Sequence, residues 1–173
     1  MRFFLPYNEQ GRLQVLRQYE ILDTPPEDRF DTIVSRAAKQ FDAPIALFTL
    51  IDKDRQWFKS RIGLDLQETD RASSFCAHAI AIDTPLVVED ASRNDLFASN
   101  PLVIGHPGIS FYAGVPVRAP GGEPLGALCV IDTSPRSFAW KDLLLLEELA
   151  GQIEVQLEAR QAEQGRSSNW PSH

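Results

Sequence analysis

The sequence predicts an α+β fold, with an antiparallel sheet covered on one face by helices from the two ends of the chain. Three observations point to it. Strand-like runs follow one another across tight turns, and tight turns join antiparallel neighbours. Helical apolar periodicity concentrates near the two ends, with one short helix between. The 173 residues, 43% of them hydrophobic, are enough for one soluble domain with its own core.

Taken in order, the first helix signal runs from Asn8 to Tyr19, with Asn8 as cap and Leu13, Leu16 and Tyr19 as apolar face. Thr24, Pro25 and Glu27 read as the cap, first position and capping-box acid of a second helix. Its buried stripe is Phe30, Ile33, Val34, Ala37, Ala38 and Phe41, and Pro44 closes it. Ile45–Ile51 is a buried strand; Asp52-Lys53-Asp54 turns it into a second strand, Gln56–Ile62, which Gly63 ends. Leu64–Ala72 is polar and reads as loop. Ser73 and Ser74 are candidate caps for a short helix, Phe75–Ile82, which Pro85 stops. Leu86–Val88 is a short strand, and Glu89–Gly108 a long connection of the kind that carries function. Ile109–Arg118 and Leu125–Asp132 are the last two strands, joined by a Gly/Pro turn, with Pro116 leaving a gap in the ladder. The longest helix spans Trp140 to about Gln164. The expected division is residues 1–24 as N-terminal helix and linker, 25–164 as the domain with its signalling helix, and 165–173 as a disordered tail.

A net charge of −7 disfavours binding to phosphate backbones, so no nucleic-acid partner is expected. Two cysteines, Cys76 and Cys129, make no disulfide framework. The segment before Asn8 is too short for a signal peptide, and no apolar run is long enough to span a membrane. These features predict a cytoplasmic protein with no membrane partner.

Four segments carry a resemblance: Ile21–Pro26, Asp54–Ser60, Ser74–Ile80 and Leu125–Asp132. In this order they closely resemble bacterial GAF domains of the kind found at the front of sensor histidine kinases and diguanylate cyclases. The resemblance covers about Leu13 to Leu157. It implies a sheet of five or six strands, with the N- and C-terminal helices on one face. On the other face the short helix and long loop would roof a small-molecule pocket. GAF domains bind cyclic nucleotides, tetrapyrroles, haem, amino acids or nothing known, so the ligand and any cofactor stay unnamed. An output domain or signalling partner is implied.

The candidate ligand-binding residues are Phe75, Cys76, His78, Asp90, Arg93, Phe111 and Tyr112. His78 is the group most able to change charge near neutral pH. Asp90 and Arg93 would supply charge, and the aromatics an apolar wall. Strand alternation lets only one of Trp57 and Phe58, and one of Phe111 and Tyr112, face the pocket. Against a metal site, Cys76 and His78 would point about 200° apart on a helix, so no metal is expected. Cys129 sits mid-strand in an apolar run, where thiols are usually inert. No nucleophile and base are spaced for catalysis, so the reading is a regulatory domain with no catalytic residue. Two alternatives remain, an interaction module without ligand and an enzyme like the free methionine sulfoxide reductases of the family. Leu143, Leu146, Ala150, Ile153 and Leu157 repeat at spacings that suggest a coiled-coil seam and a parallel homodimer.

Overall fold

The computed structural model describes residues 5–168. Its sheet has six antiparallel strands, and helices cover both faces. Helix α1 (Glu9–Gln18) starts on Asn8, whose side chain accepts from Gly11 N–H. Helix α2 covers Asp28–Gln40. Strands β1 (Ile45–Ile51) and β2 (Arg55–Ile62) form the expected hairpin. A third strand, β3 (Glu68–Asp70), pairs with the start of β2. Helix α3 (Phe75–Ile82) is capped by Ser74, and β4 (Leu86–Val88) follows. The long connection holds a single helical turn, α4 (Pro101–Ile104). Strands β5 (Phe111–Arg118) and β6 (Pro124–Asp132) lead to helix α5 (Trp140–Ser168).

The strand order is β3-β2-β1-β6-β5-β4. Side chains alternate across the sheet and so feed two cores. On the inner face, Phe48, Leu50, Trp57, Phe111, Val115 and Leu128 pack against α1, α2 and α5. On the outer face, Leu47, Phe58, Tyr112, Cys129 and Ile131 pack against α3 and the long connection.

Several expectations need correction. The second helix begins at Asp28, not Pro25, because its expected caps are used elsewhere. The Thr24 hydroxyl donates to Ile21 C=O and accepts from Lys59 Nζ at 2.8 Å. Lys59 Nζ also donates to Pro25 C=O at 2.6 Å, holding that segment extended. The Glu27 carboxylate turns to Lys59 and Arg160 instead of closing a capping box. The stretch expected as loop contains β3 and a 3-10 turn, Arg71–Ser73. The tail expected from residue 165 is helical to Ser168; residues 169–173, like Met1–Phe4, lie outside the described residues.

The expected dimer seam is the largest correction. Leu146, Ala150, Ile153 and Leu157 are all at most 1% exposed within this one chain. They lie in the inner core, with Leu143 packed at its margin. Burying such a stripe stabilises the fold by about 1.5–3 kcal/mol per large side chain, and leaves nothing of it for a second copy. The outward face of α5 carries Trp140, Leu144 and Val155 instead.

Candidate functional site

The outer face is roofed by α3 and the connection after β4. Three contacts hold the roof down. Phe97 stacks on Phe75 with centroids 4.2 Å apart and planes at 13°. Asn100 Nδ2 donates to Ser73 C=O at 3.1 Å while its Oδ1 caps Leu102 N–H at 2.8 Å. Ser74 both caps α3 and donates to Gln56 Oε1 at 2.6 Å, tying α3 to β2.

Beneath this roof lies a cavity of about 20 Å³. Phe58, Phe75, Leu102, Pro107, Ile109 and Tyr112 form its apolar walls, and Gln56, Thr69, Cys76 and Cys129 are its polar or thiol groups. A void of this size holds about one water. An open groove of about 630 Å³ lies elsewhere, beside the start of α1, among charged side chains such as Lys53, Asp54, Asp70 and Arg71.

The candidate residues separate clearly. Phe75, Cys76 and Tyr112 come together at the cavity. His78 does not line it. It sits half-buried on α3 with its ring edge-on to Phe97 at 5.1 Å, and burial lowers its pKa below the ordinary 6.5. Asp90 turns onto its own loop, accepting from Ser92 N–H and hydroxyl, and Arg93 is 88% exposed beside it at 3.7 Å. Phe111 points through the sheet to the inner face, where it meets Phe138 and the Arg136 guanidinium. In the same way Phe58 faces the cavity and Trp57 the helices.

The proximity of Cys76 and Cys129, which sequence spacing does not show, puts a thiol cluster at the centre of this face. The Tyr112 hydroxyl donates to Cys76 Sγ at 3.0 Å. Cys129 and Thr49 stand close enough to act electrostatically on the Cys76 thiol, and the Thr49 hydroxyl itself donates to Ala127 C=O at 3.4 Å. Burial pushes the Cys76 thiol up, but the neighbouring Cys129, Thr49 and Tyr112 side chains outweigh it and leave the group below its ordinary value. Burial holds Cys129 and Tyr112 well above theirs, so both keep their protons. Gly114 makes the arrangement possible. It sits across from Cys129 in the β5–β6 ladder, and a Cβ there would lie 2.0 Å from the Tyr112 hydroxyl. The turn signals and hydrophobic pattern gave no sign of this pairing, because it joins a helix to two strands.

A second set of buried charges lies on the inner face. Glu27 Oε2 accepts from Lys59 Nζ at 2.7 Å and from Arg160 Nε at 2.8 Å. Lys59 belongs to β2 and its side chain is fully buried. Arg160 belongs to α5 and also donates to Tyr19 C=O at 2.7 Å and Glu20 C=O at 3.3 Å. One carboxylate therefore joins the sheet, the N-terminal segment and the last helix. Among the described residues, no three His, Cys, Asp or Glu side chains gather as a metal site, and no helix is long and apolar enough to cross a membrane.

The model of the GAF domain family matches residues 25–157, and the chain belongs to that family. It is 41% identical over 146 residues to a cyclic di-GMP phosphodiesterase of Pseudomonas aeruginosa, covering 84% of this chain and 25% of that protein. The chain thus spans about a quarter of the length of this curated relative. A free methionine-R-sulfoxide reductase from Neisseria meningitidis, solved with its substrate, has the same fold at a TM-score of 0.64 and 20% identity. That match covers 94% of this chain and 98% of the other. A domain assigned to a two-component sensor histidine kinase protein of Sinorhizobium meliloti matches at 0.64 and 17% identity, over 80% and 94% of the two chains. At such identities both likenesses show the fold alone. The expectation that the chain is no enzyme is corrected by the phosphodiesterase, which is an enzyme and a quarter of which this chain resembles.

Proposed function

We propose that this GAF domain is a sensory and regulatory module of cyclic di-GMP signalling, reading its signal at the outer face and passing it on through α5. The carrying observation is the shared Glu27 carboxylate. Phe58 lines the cavity, and its neighbour Lys59 reaches through to the other face of the same strand. A shift of β2 under the roof moves Lys59, hence Glu27, hence Arg160 on α5. Such a path needs a two-state element whose equilibrium both ends bias, and α5, held at its C-terminal half by Arg160, is that element. The likeness to part of a cyclic di-GMP phosphodiesterase supports the choice of pathway.

In this reading the domain works in the cytoplasm, in keeping with two free thiols. A homodimer uses the outward stripe of α5, where Trp140, Leu144 and Val155 lie within about 60° of one another around the helix. A small-molecule ligand requires the roof to lift, since 20 Å³ falls far below the ~300–1,000 Å³ of common ligand pockets. That volume favours the second reading, an interaction module with no ligand. The experiment is cyclic di-GMP hydrolysis by the full-length gene product with Glu27 or Glu27→Gln. A severalfold change in rate is expected. No hydrolysis at all, or identical rates, would overturn the proposal.

A further inference from the structure

We propose that Cys76 and Cys129 form an oxidisable dithiol that reacts with hydrogen peroxide in the outer-face cavity. Both residues line that one void. Its 20 Å³ is in the size class of water and of peroxide, and far too small for an amino-acid sulfoxide. Leu64, Leu66, Leu102 and Pro107, all only partly buried, stand between it and solvent. A thiolate is the reactive form, and it needs donors to replace water. Cys76 has one in the Tyr112 hydroxyl at 3.0 Å, with Cys129 and Thr49 beside it also favouring the ionised sulfur. Cys129 has no such set and stays protonated.

This asymmetry gives the two sulfurs different roles. The Cys76 thiolate attacks one peroxide oxygen. The O–O bond breaks, and the leaving hydroxide takes up a proton as water, leaving Cys76 as a sulfenic acid. Cys129 then attacks the Cys76 sulfur. The S–O bond breaks, hydroxide leaves with the Cys129 proton as a second water, and a disulfide remains. Two thiols lose two electrons in all, and one peroxide becomes two waters. The product ties α3 covalently to β6 and replaces the anionic sulfur that Tyr112 now donates to with a neutral, weaker acceptor. The inference rests on the regulatory reading only for its biological meaning. The chemistry is read by mass, independently of Glu27 and of any hydrolysis.

The test is timed exposure of the folded protein to hydrogen peroxide, followed by alkylation under denaturing conditions and peptide mapping. The expected result is a disulfide between the Cys76 and Cys129 peptides that dithiothreitol reverses. Cys129→Ala should instead give a sulfenic acid at Cys76 that dimedone traps, and Cys76→Ala should leave Cys129 free. Tyr112→Phe should slow oxidation at least tenfold while its circular dichroism matches wild type. Four results would overturn the proposal: both thiols alkylatable after peroxide, oxidation only in denaturant, Tyr112→Phe reacting at the wild-type rate, or the same disulfide formed by free methionine sulfoxide.

Discussion

Removing the Glu27 carboxylate is the most informative single change to the inner face. In Glu27→Ala, the fully buried Lys59 ammonium keeps two neutral acceptors, Thr24 Oγ1 and Pro25 C=O, but loses its counter-ion at 2.7 Å. Removing one partner of a buried pair costs about 3–5 kcal/mol. The acceptors that remain, and the partial exposure of Glu27 itself, place this case near the low end, about 3 kcal/mol. For a domain of this size that lowers Tm by ~6–12 °C. The double variant Glu27→Leu with Lys59→Met removes both charges, and should return to within ~1 kcal/mol of wild type. Acid adds a second check. Burial pushes Glu27 up, but Lys59 and Arg160 pull it down further, and its pKa ends below the ordinary 4.5. A depressed carboxylate stabilises the fold above its unfolded value and loses that contribution as pH falls through its folded value. The gap between wild type and Glu27→Ala should therefore be full at pH 7 and close below about pH 4.5. Thermal melts at pH 7, 5 and 3 measure it. A variant melting within 2 °C of wild type, or a gap unchanged at pH 3, would refute the reasoning.

Two further outcomes are expected. Gly114→Ala places a Cβ against the Tyr112 hydroxyl, so it should cost about 1–3 kcal/mol in urea unfolding and change the near-ultraviolet signal of the tyrosines. A spectrum and stability like wild type would mean that the phenol is free to move. Ile153→Glu buries a charge in the inner core and should leave the chain unfolded at 37 °C, whereas Val155→Glu, at a position 64% exposed within one chain, should keep the helical fold and weaken only self-association through the outward stripe. Circular dichroism would show the reverse if α5 were packed the other way round.

Local chemistry was legible in the sequence where it stayed local. A helix over Phe75–Ile82 with Ser73 or Ser74 as its cap follows from the local sequence, and the structure has it on Ser74. So does the alternation that sends one residue of each aromatic pair to each face, though only the structure decides which. Thr24 and Glu27 show where such reading ends. Their spacing matches a capping box, but Lys59, more than thirty positions away, takes both. The stripe on α5 failed for a related reason. A heptad repeat and a sheet-facing stripe use the same spacing, and a sheet was available to bury it first. The thiol cluster was the least visible, since nothing near Cys76 in the chain marks Cys129, Thr49 or Gly114 as its neighbours.

The pairing of β1 with β6 has a consequence for how the protein is made. Two central strands of the sheet are separated by more than seventy residues, with Leu47 beside Cys129 and Phe48 beside Leu128. During synthesis the β1–β2 hairpin is therefore finished long before its second neighbour leaves the ribosome. Until then β1 presents an open edge of apolar, β-prone sequence, the type of surface that pairs with other chains. Late closure makes slow or paused translation between residues 62 and 124 the hazardous interval, and a chaperone that shields short apolar strands its natural remedy.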